Sequence, residues 1–298
     1  MTRRTALLAP LATQVINTAH AATPKMVLSL HQNTSVAAGY RKSLEGWAKA
    51  GIKNVELTDR LLDEFLKTDD LAAARRVVTD LGLTPVSCAA VLPDFWIPNP
   101  NRAAALDTWK KRCEQFSSFG LTKIYCPAVT SRKVTAEDYK GALDCVREGG
   151  EAAMQHKMTA MIEFARNSSF IATLTTSLKL IREAAHPNVR PMLDCYHFWS
   201  GLSKFEDLDL LKPGELAHVH FQDVPDMPRE LLDNTTRYIP GDGVSPLVRI
   251  LRKLAEKGYS GALSVELFLP EFTQGDPAEV AMRIREKAEG VMRQAKVA

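Results

Sequence analysis

From Met26 onward the chain alternates eight times between an apolar run of strand length and a segment of helical spacing. This rhythm constrains the fold more than any other feature, because strands joined through helices must pair in parallel. The runs are Met26–His31, Asn54–Thr58, Thr84–Val91, Lys123–Val129, Thr159–Phe164, Val189–Phe198, Leu216–Val224 and Ala262–Phe268. Helical spacing follows at Tyr40–Ala50, Asp69–Leu81 and Arg102–Phe119, and from a Thr135 cap towards His156. It returns at Ile171–Ala185, briefly at Phe205–Leu211, and at Ser245–Lys257 and Pro277–Gln294. Gly51, Gly82, Gly120 and Gly258 stand where helices are commonly stopped. Eight such units fit an α/β protein of one domain, a (β/α)8 TIM barrel, whose usual size is about 250 residues. A doubly wound sheet would carry a glycine-rich phosphate turn after its first strand. Here that turn reads LHQNTSVAAG, and residues 24–298 show no linker or second domain.

The balance of 38 basic against 35 acidic residues, a net +3, gives no electrostatic reason to expect nucleic acid or a membrane surface as partner. No run approaches the ~18 uninterrupted apolar residues of a membrane span. Five cysteines without CxxC spacing predict scattered thiols rather than a disulfide framework or zinc ribbon. Residues 1–23 differ in character from the rest. Arg3-Arg4 precede a mildly apolar, acid-free run that ends in Ala19-His20-Ala21. This is the layout of a twin-arginine-type export signal cleaved after Ala21, with Ala6 where such signals usually carry Phe. The expectation is a periplasmic protein; the alternative is a disordered extension on a cytoplasmic one.

In a (β/α)8 barrel the reacting groups project from the C-terminal strand ends. Those positions hold His31, Glu56, Glu163, Asp194, His197, His218, His220, Asp223 and Glu266. Glu163, Asp194, His220 and Glu266 lie late in four successive apolar strands. Three carboxylates and an imidazole brought together there would repel or stay desolvated unless a cation joins them. The expected ligand set is therefore Glu163, Asp194, His220 and Glu266 around one divalent ion. A mostly oxygen-donor set suits Mn2+ first, with Mg2+, Co2+ or Zn2+ as alternatives. His218 shares a face with His220 and is read as a structural histidine. His31 and Glu56 are expected to support the ligands or touch substrate. Phe95, Trp96, Trp199 and Phe268 are candidates for an apolar wall, with packing between barrel and helices as the alternative.

The strand ends read IEF (162–164), LDCYHF (193–198), HVHFQDV (218–224), RYIPGDG (237–243) and SVELFLPEF (264–272). Together with the strand–helix rhythm, from Met26 to Met292, they resemble the xylose isomerase-like TIM-barrel sugar isomerase/epimerase superfamily. Within it they are similar to the inosose (2-keto-myo-inositol) isomerases. That resemblance implies that Glu163 and Glu266 are the acid/base pair as well as metal ligands. It implies that His197 contacts a substrate oxygen and that Arg237 closes over the substrate; Asp223 and Asp242 are read from their positions as orienting Arg237. Two positions depart from the inosose isomerase pattern: Leu269 stands in place of Arg, and Arg166 in place of a small residue.

The expected partner is a small-molecule keto-sugar or keto-cyclitol, with a homodimer as the oligomeric expectation from resemblance. The expected reaction is isomerisation or epimerisation by proton transfer through an enediolate that a Lewis acid stabilises. A hydroxyl able to leave beta to that enediolate would turn the same site into a dehydratase of a keto-cyclitol, 3-keto-glycoside or 3-dehydroshikimate. A non-catalytic sugar-binding barrel is the alternative of another class, and would not need two glutamates facing one metal.

Overall fold

The computed structural model describes residues 25–298. The export signal or extension expected over residues 1–23 lies outside the described residues. Eight parallel strands close into one barrel in chain order, as the alternation predicts. They are β1 (Val27–His31), β2 (Asn54–Thr58), β3 (Thr84–Ala89), β4 (Lys123–Pro127), β5 (Thr159–Glu163), β6 (Val189–Asp194), β7 (His218–His220) and β8 (Ala262–Val265). The seam between β1 and β8 sets Leu30 beside Val265. Thr34 reinforces it: its hydroxyl donates to the Val265 carbonyl and accepts from the Leu267 N–H, each at 3.0 Å.

The helices in chain order are α1 (Gly39–Lys49), α2 (Asp59–Phe65), α3 (Leu71–Asp80), α4 (Arg102–Ser117), α5 (Ala136–Gln155), α6 (Leu174–Ala184), α7 (Cys195–Ser200), α8 (Leu247–Glu256), α9 (Pro270–Thr273) and α10 (Pro277–Ala295). Their starts follow from local chemistry. Asp70 accepts the Ala73 N–H at 2.6 Å, Thr135 and Asp138 form a capping box, and Asp276 caps α10 ahead of Pro277. Buried faces follow helical spacing, as in α8, where Leu247, Ile250, Leu251 and Leu254 turn inward. Close approach of α1 and α10 requires Gly46, since a Cβ there would lie 2.6 Å from that of Pro277.

Three differences from expectation bear on the site. The run through Phe198 is not all strand. Asp194 Oδ1 accepts the His197 N–H at 2.7 Å, so the chain turns at Asp194 and CYHFWS winds into α7. A helix also follows β2 directly, because Thr58 caps it through the Leu61 N–H. Strands β3, β7 and β8 are shorter than their apolar runs, and Glu266 falls one residue past β8.

Phe95 and Trp96 belong to the layer between barrel and helices rather than to a site wall. Both rings pack on Trp109, and the Trp96 indole donates to the Cys126 carbonyl at 2.9 Å. All five cysteines are buried and unpaired. Among the described residues no helix is long and apolar enough to cross a membrane.

Candidate active site

Strand register brings the four expected ligands to one end of the barrel. Asp194 pairs with His220 across β6 and β7, and His220 with Ser264 across β7 and β8. One ligand atom from each of Glu163, Asp194, His220 and Glu266 falls within 4.8 Å of the others. His220 Nδ1 lies 2.9 Å from Glu163 Oε1, 3.4 Å from Asp194 Oδ2 and 3.4 Å from Glu266 Oε2. Yet His220 Nδ1 and Glu163 Oε1 are both buried without a hydrogen-bond partner. Donor atoms that converge without bonding one another fit a shared cation. Three carboxylates and one imidazole are a donor set suited to a divalent ion.

The cluster is buttressed from behind. Glu56, fully buried on β2, accepts at Oε2 from His218 Nε2 at 2.9 Å and from His220 Nε2 at 3.2 Å. With Nε2 held by a carboxylate, His220 presents Nδ1 to the ligand space, the usual orientation of a metal-binding histidine. Glu56 and His218 thus stand behind His220. His31 Nδ1 accepts the Asn33 N–H at 3.1 Å, and its Nε2 meets the Tyr125 hydroxyl at 2.9 Å.

Arg237 is the cation of this assembly. Its guanidinium donates to Asp194 Oδ2 at 2.9 Å and Glu266 Oε2 at 2.7 Å, and lies between the rings of Tyr196 and Phe268. It also reaches His197 Nε2 at 3.1 Å. The expected pairing of Arg237 with Asp223 and Asp242 is not formed. Asp223 instead accepts backbone N–H groups from Val224, Gly241, Gly243 and Ser245, and Asp242 meets Lys287 at the surface. Backbone bonds between Asp223 and Tyr238 fix the residue next to Arg237.

Electrostatics separate the carboxylates. Burial raises the Glu163 pKa to about 7, against the attraction of His220, with Asp194 and Glu266 adding to the rise. Burial also opposes charge on Asp194, but Arg237, His197 and His220 outweigh it and hold that pKa well below the usual carboxylate range. Glu266 is lowered too, as His31, Arg237 and His220 overcome its burial. His220 is held well above its ordinary value, since Glu56, Glu266 and Glu163 together exceed the cost of burial. His197 falls to about 4, mainly through burial.

Above the cluster lies a cavity of about 350 Å3. Of the four candidate ligands, only Glu163 and Glu266 line it. Its other walls include His197, Arg237, Asn33, Tyr125, Asn234 and Phe268. Trp199 is not among the lining residues: it packs beside Tyr196, Val224 and Leu232 under the Arg229 guanidinium. Arg166 turns its guanidinium to the carbonyls of Arg229 and Leu232, and Leu269 stands at the start of α9.

Three polar groups at the site were not anticipated. Asn33 donates to Glu266 Oε1 at 3.0 Å, Gln222 to Asp194 Oδ2 at 2.7 Å, and Tyr125 faces both His31 and the cavity. Gln222 continues the period-two alternation of His218 and His220 and was legible from it.

Comparison with known proteins agrees with this architecture. The chain is 27% identical over 240 residues to the inosose isomerase of Halalkalibacterium halodurans, covering 78% of this chain and 84% of that one. It is 29% identical over 252 residues to the inosose isomerase of Bacillus subtilis, covering 83% and 91%. Among solved structures, the IolI protein with a bound zinc atom superposes with a TM-score of 0.83 at 22% identity, covering 91% of this chain and 99% of that one. An L-ribulose 3-epimerase superposes at 0.71 with 17% identity, covering 91% and 96%. The xylose isomerase-like TIM barrel description matches residues 44–289. The chain belongs to the xylose isomerase-like TIM barrel family.

Proposed function

We propose that this protein is a divalent-metal-dependent isomerase or epimerase of a keto-cyclitol or keto-sugar resembling 2-keto-myo-inositol. One observation carries the reading: the two ligands that reach the cavity are the two glutamates, while Asp194 and His220 stay beneath them. The names of the inosose isomerase relatives support the substrate class. Glu163, Asp194, His220 and Glu266 would hold the ion, Mn2+ being the first choice for such a set. When bound, it supplies a Lewis acid beside a carbonyl and a neighbouring hydroxyl.

The remaining work falls to this chain's own groups. One glutamate removes the proton from the hydroxyl-bearing carbon. The other, or the same one, returns a proton to the former carbonyl carbon while the hydroxyl proton passes to the former carbonyl oxygen, so C=O and CH–OH exchange places with no net change in atoms. Arg237 and the neutral His197 hydrogen-bond the oxygens whose charge changes, and Phe268 shields one side from water.

A time course in D2O with 2-keto-myo-inositol and Mg2+-loaded protein, followed by NMR, tests this. The expected result is an isomeric ketone carrying deuterium at the migrating position. Glu163→Gln and Glu266→Gln should each lower that rate by about 10²–10⁴, the usual worth of a general acid or base. Water loss to an enone would move the enzyme to the dehydratases on the same site. Unlabelled ketone with metal bound, or full activity in both variants, would sink the assignment.

A further inference from the structure

A second cavity, of about 560 Å3, opens beside the first. The two share Asn33, Val91 and Phe268 as walls, so they are compartments of one groove on the C-terminal face of the barrel. The inner compartment is at the small end of the range for ligand sites, about 300–1,000 Å3, which suits one polyol ring. The outer compartment is the larger, yet none of the four metal-cluster residues lines it. A single ring held at the cluster leaves it to water.

The outer compartment is built rather than accidental. Arg112 is only 9% exposed, grips Asp63 through two hydrogen bonds at 2.6 and 2.5 Å, and keeps a buried Nε without a partner. Asp59 accepts the Val91 N–H at 3.1 Å and so fixes the shared lip. Val91 itself is 50% exposed there, an apolar side chain on a polar rim. The lining is charged but largely paired: Arg112 holds Asp63, Lys67 holds Glu64, and Asp59 accepts the backbone N–H groups of Arg60 and Val91. With no excess of positive charge, such a lining gives a phosphate ester no particular hold. It offers carboxylate acceptors to hydroxyl groups, while Val91 and Phe268 offer apolar surface to the C–H face of a ring.

We propose that the outer compartment is a subsite for a second, uncharged, hydroxylated ring, so that the substrate is a glycosylated keto-cyclitol or a keto-disaccharide. The inference rests on the function proposed above and narrows its substrate class. Binding energy from the outer ring would then be available to orient the reacting ring over Glu163 and Glu266.

Calorimetry on the Mn2+-loaded full chain tests it with two matched pairs: myo-inositol against galactinol, its galactosyl derivative, and glucose against maltose. The two-ring member of at least one pair should bind at least ~10-fold tighter, about the 1.4 kcal/mol that a factor of ten represents. Thr108 lines the outer compartment and not the inner one. Thr108→Trp should fill it and erase that advantage. If that variant does not fold, Glu64→Gln should reduce the advantage instead. No gain in either pair, or a gain untouched by a folded variant, overturns the subsite. Tighter binding of myo-inositol 1-phosphate than of myo-inositol overturns its uncharged character. The same preparation is assayed for deuteration of 2-keto-myo-inositol. A two-ring advantage without deuteration overturns the proposed chemistry and keeps the subsite, and deuteration without the advantage does the reverse.

Discussion

At the scale of single residues, the site is a set of charges too crowded to stay charged without help. Glu163 shows the strain most clearly, its pKa lifted to about 7 by burial and by its acidic neighbours. The unfolded chain gives up that proton near the ordinary glutamate value. The contribution of Glu163 to the stability of the metal-free protein is therefore lost as pH rises from about 4.5 through about 7. A divalent ion displaces the same proton, so the gain in melting temperature on adding Mn2+ should widen across that window, and the raised His220 carries the widening further as pH increases. Melting curves with and without Mn2+ at pH 5, 6, 7 and 8 check this, and Glu163→Gln should flatten the trend. A constant increment would mean that Glu163 is not a ligand. Glu56 gives a second prediction at this scale. It holds both His218 and His220 through one oxygen, so Glu56→Gln should weaken Mn2+ binding by about 10–100-fold, the usual cost of losing such an orienting partner. Unchanged affinity would show that His220 needs no orienter. The four clustered side chains were legible because a charged side chain late in an apolar strand contradicts its surroundings. Tyr125 was not, since an aromatic in an apolar strand contradicts nothing until its hydroxyl is seen on His31.

At the scale of elements, the active groups are placed by the irregular connections more than by the strands. The loop carrying Arg237 is held by Asp223, whose carboxylate gathers four backbone N–H groups and whose own backbone pairs with Tyr238. Asp223→Ala removes the acceptor of four backbone N–H groups in a part-buried loop and should cost about 2 kcal/mol of stability, in the range for hydrogen bonds to a charged group. Because Arg237 neighbours Tyr238, the variant should also lose activity beyond what its stability explains, and Asp223→Asn should restore part of both. Denaturant titration beside kinetics at a temperature where both variants are folded separates the two effects. Full activity in a folded Asp223→Ala would show that Arg237 is placed without this loop. These connections were the part least readable in the sequence. The run LDCYHF keeps its apolar character across the turn at Asp194, so nothing in hydrophobicity marks where strand becomes helix. The mark is the Asp194 side chain acting as both cap and candidate ligand, two roles that share one residue. Asp223 was noticed at a strand end, but its partners are backbone groups of a later loop, which no side-chain pattern records.

At the scale of the whole molecule, the barrel rhythm was readable because each repeat must bury an apolar strand beneath an amphipathic helix, a demand written along the entire chain. Closure of the ring brings β8 back beside β1, and it carries a mechanical consequence for the metal site. The candidate ligands come from β5, β6, β7 and the residue after β8, so one ion would tie half the barrel together at its C-terminal end. A ligand that binds only the folded state stabilises it by about 2.7 kcal/mol at one hundred times its Kd. For a domain of this size that corresponds to a melting shift of roughly 5 °C. The gain should not be spread evenly. Strands β2, β3 and β4 contribute none of the four ligands, although Glu56 links β2 to His220 from behind. Hydrogen exchange followed by mass spectrometry, with Mn2+ in excess and with a chelator, should show protection rising most in peptides covering β5 to β8. It should rise less around β2 and least in β3 and β4. Protection confined to one strand would mean that the four side chains do not act on one ion. An equal rise all round the ring would mean that the metal stabilises the barrel without clamping the half that carries the chemistry.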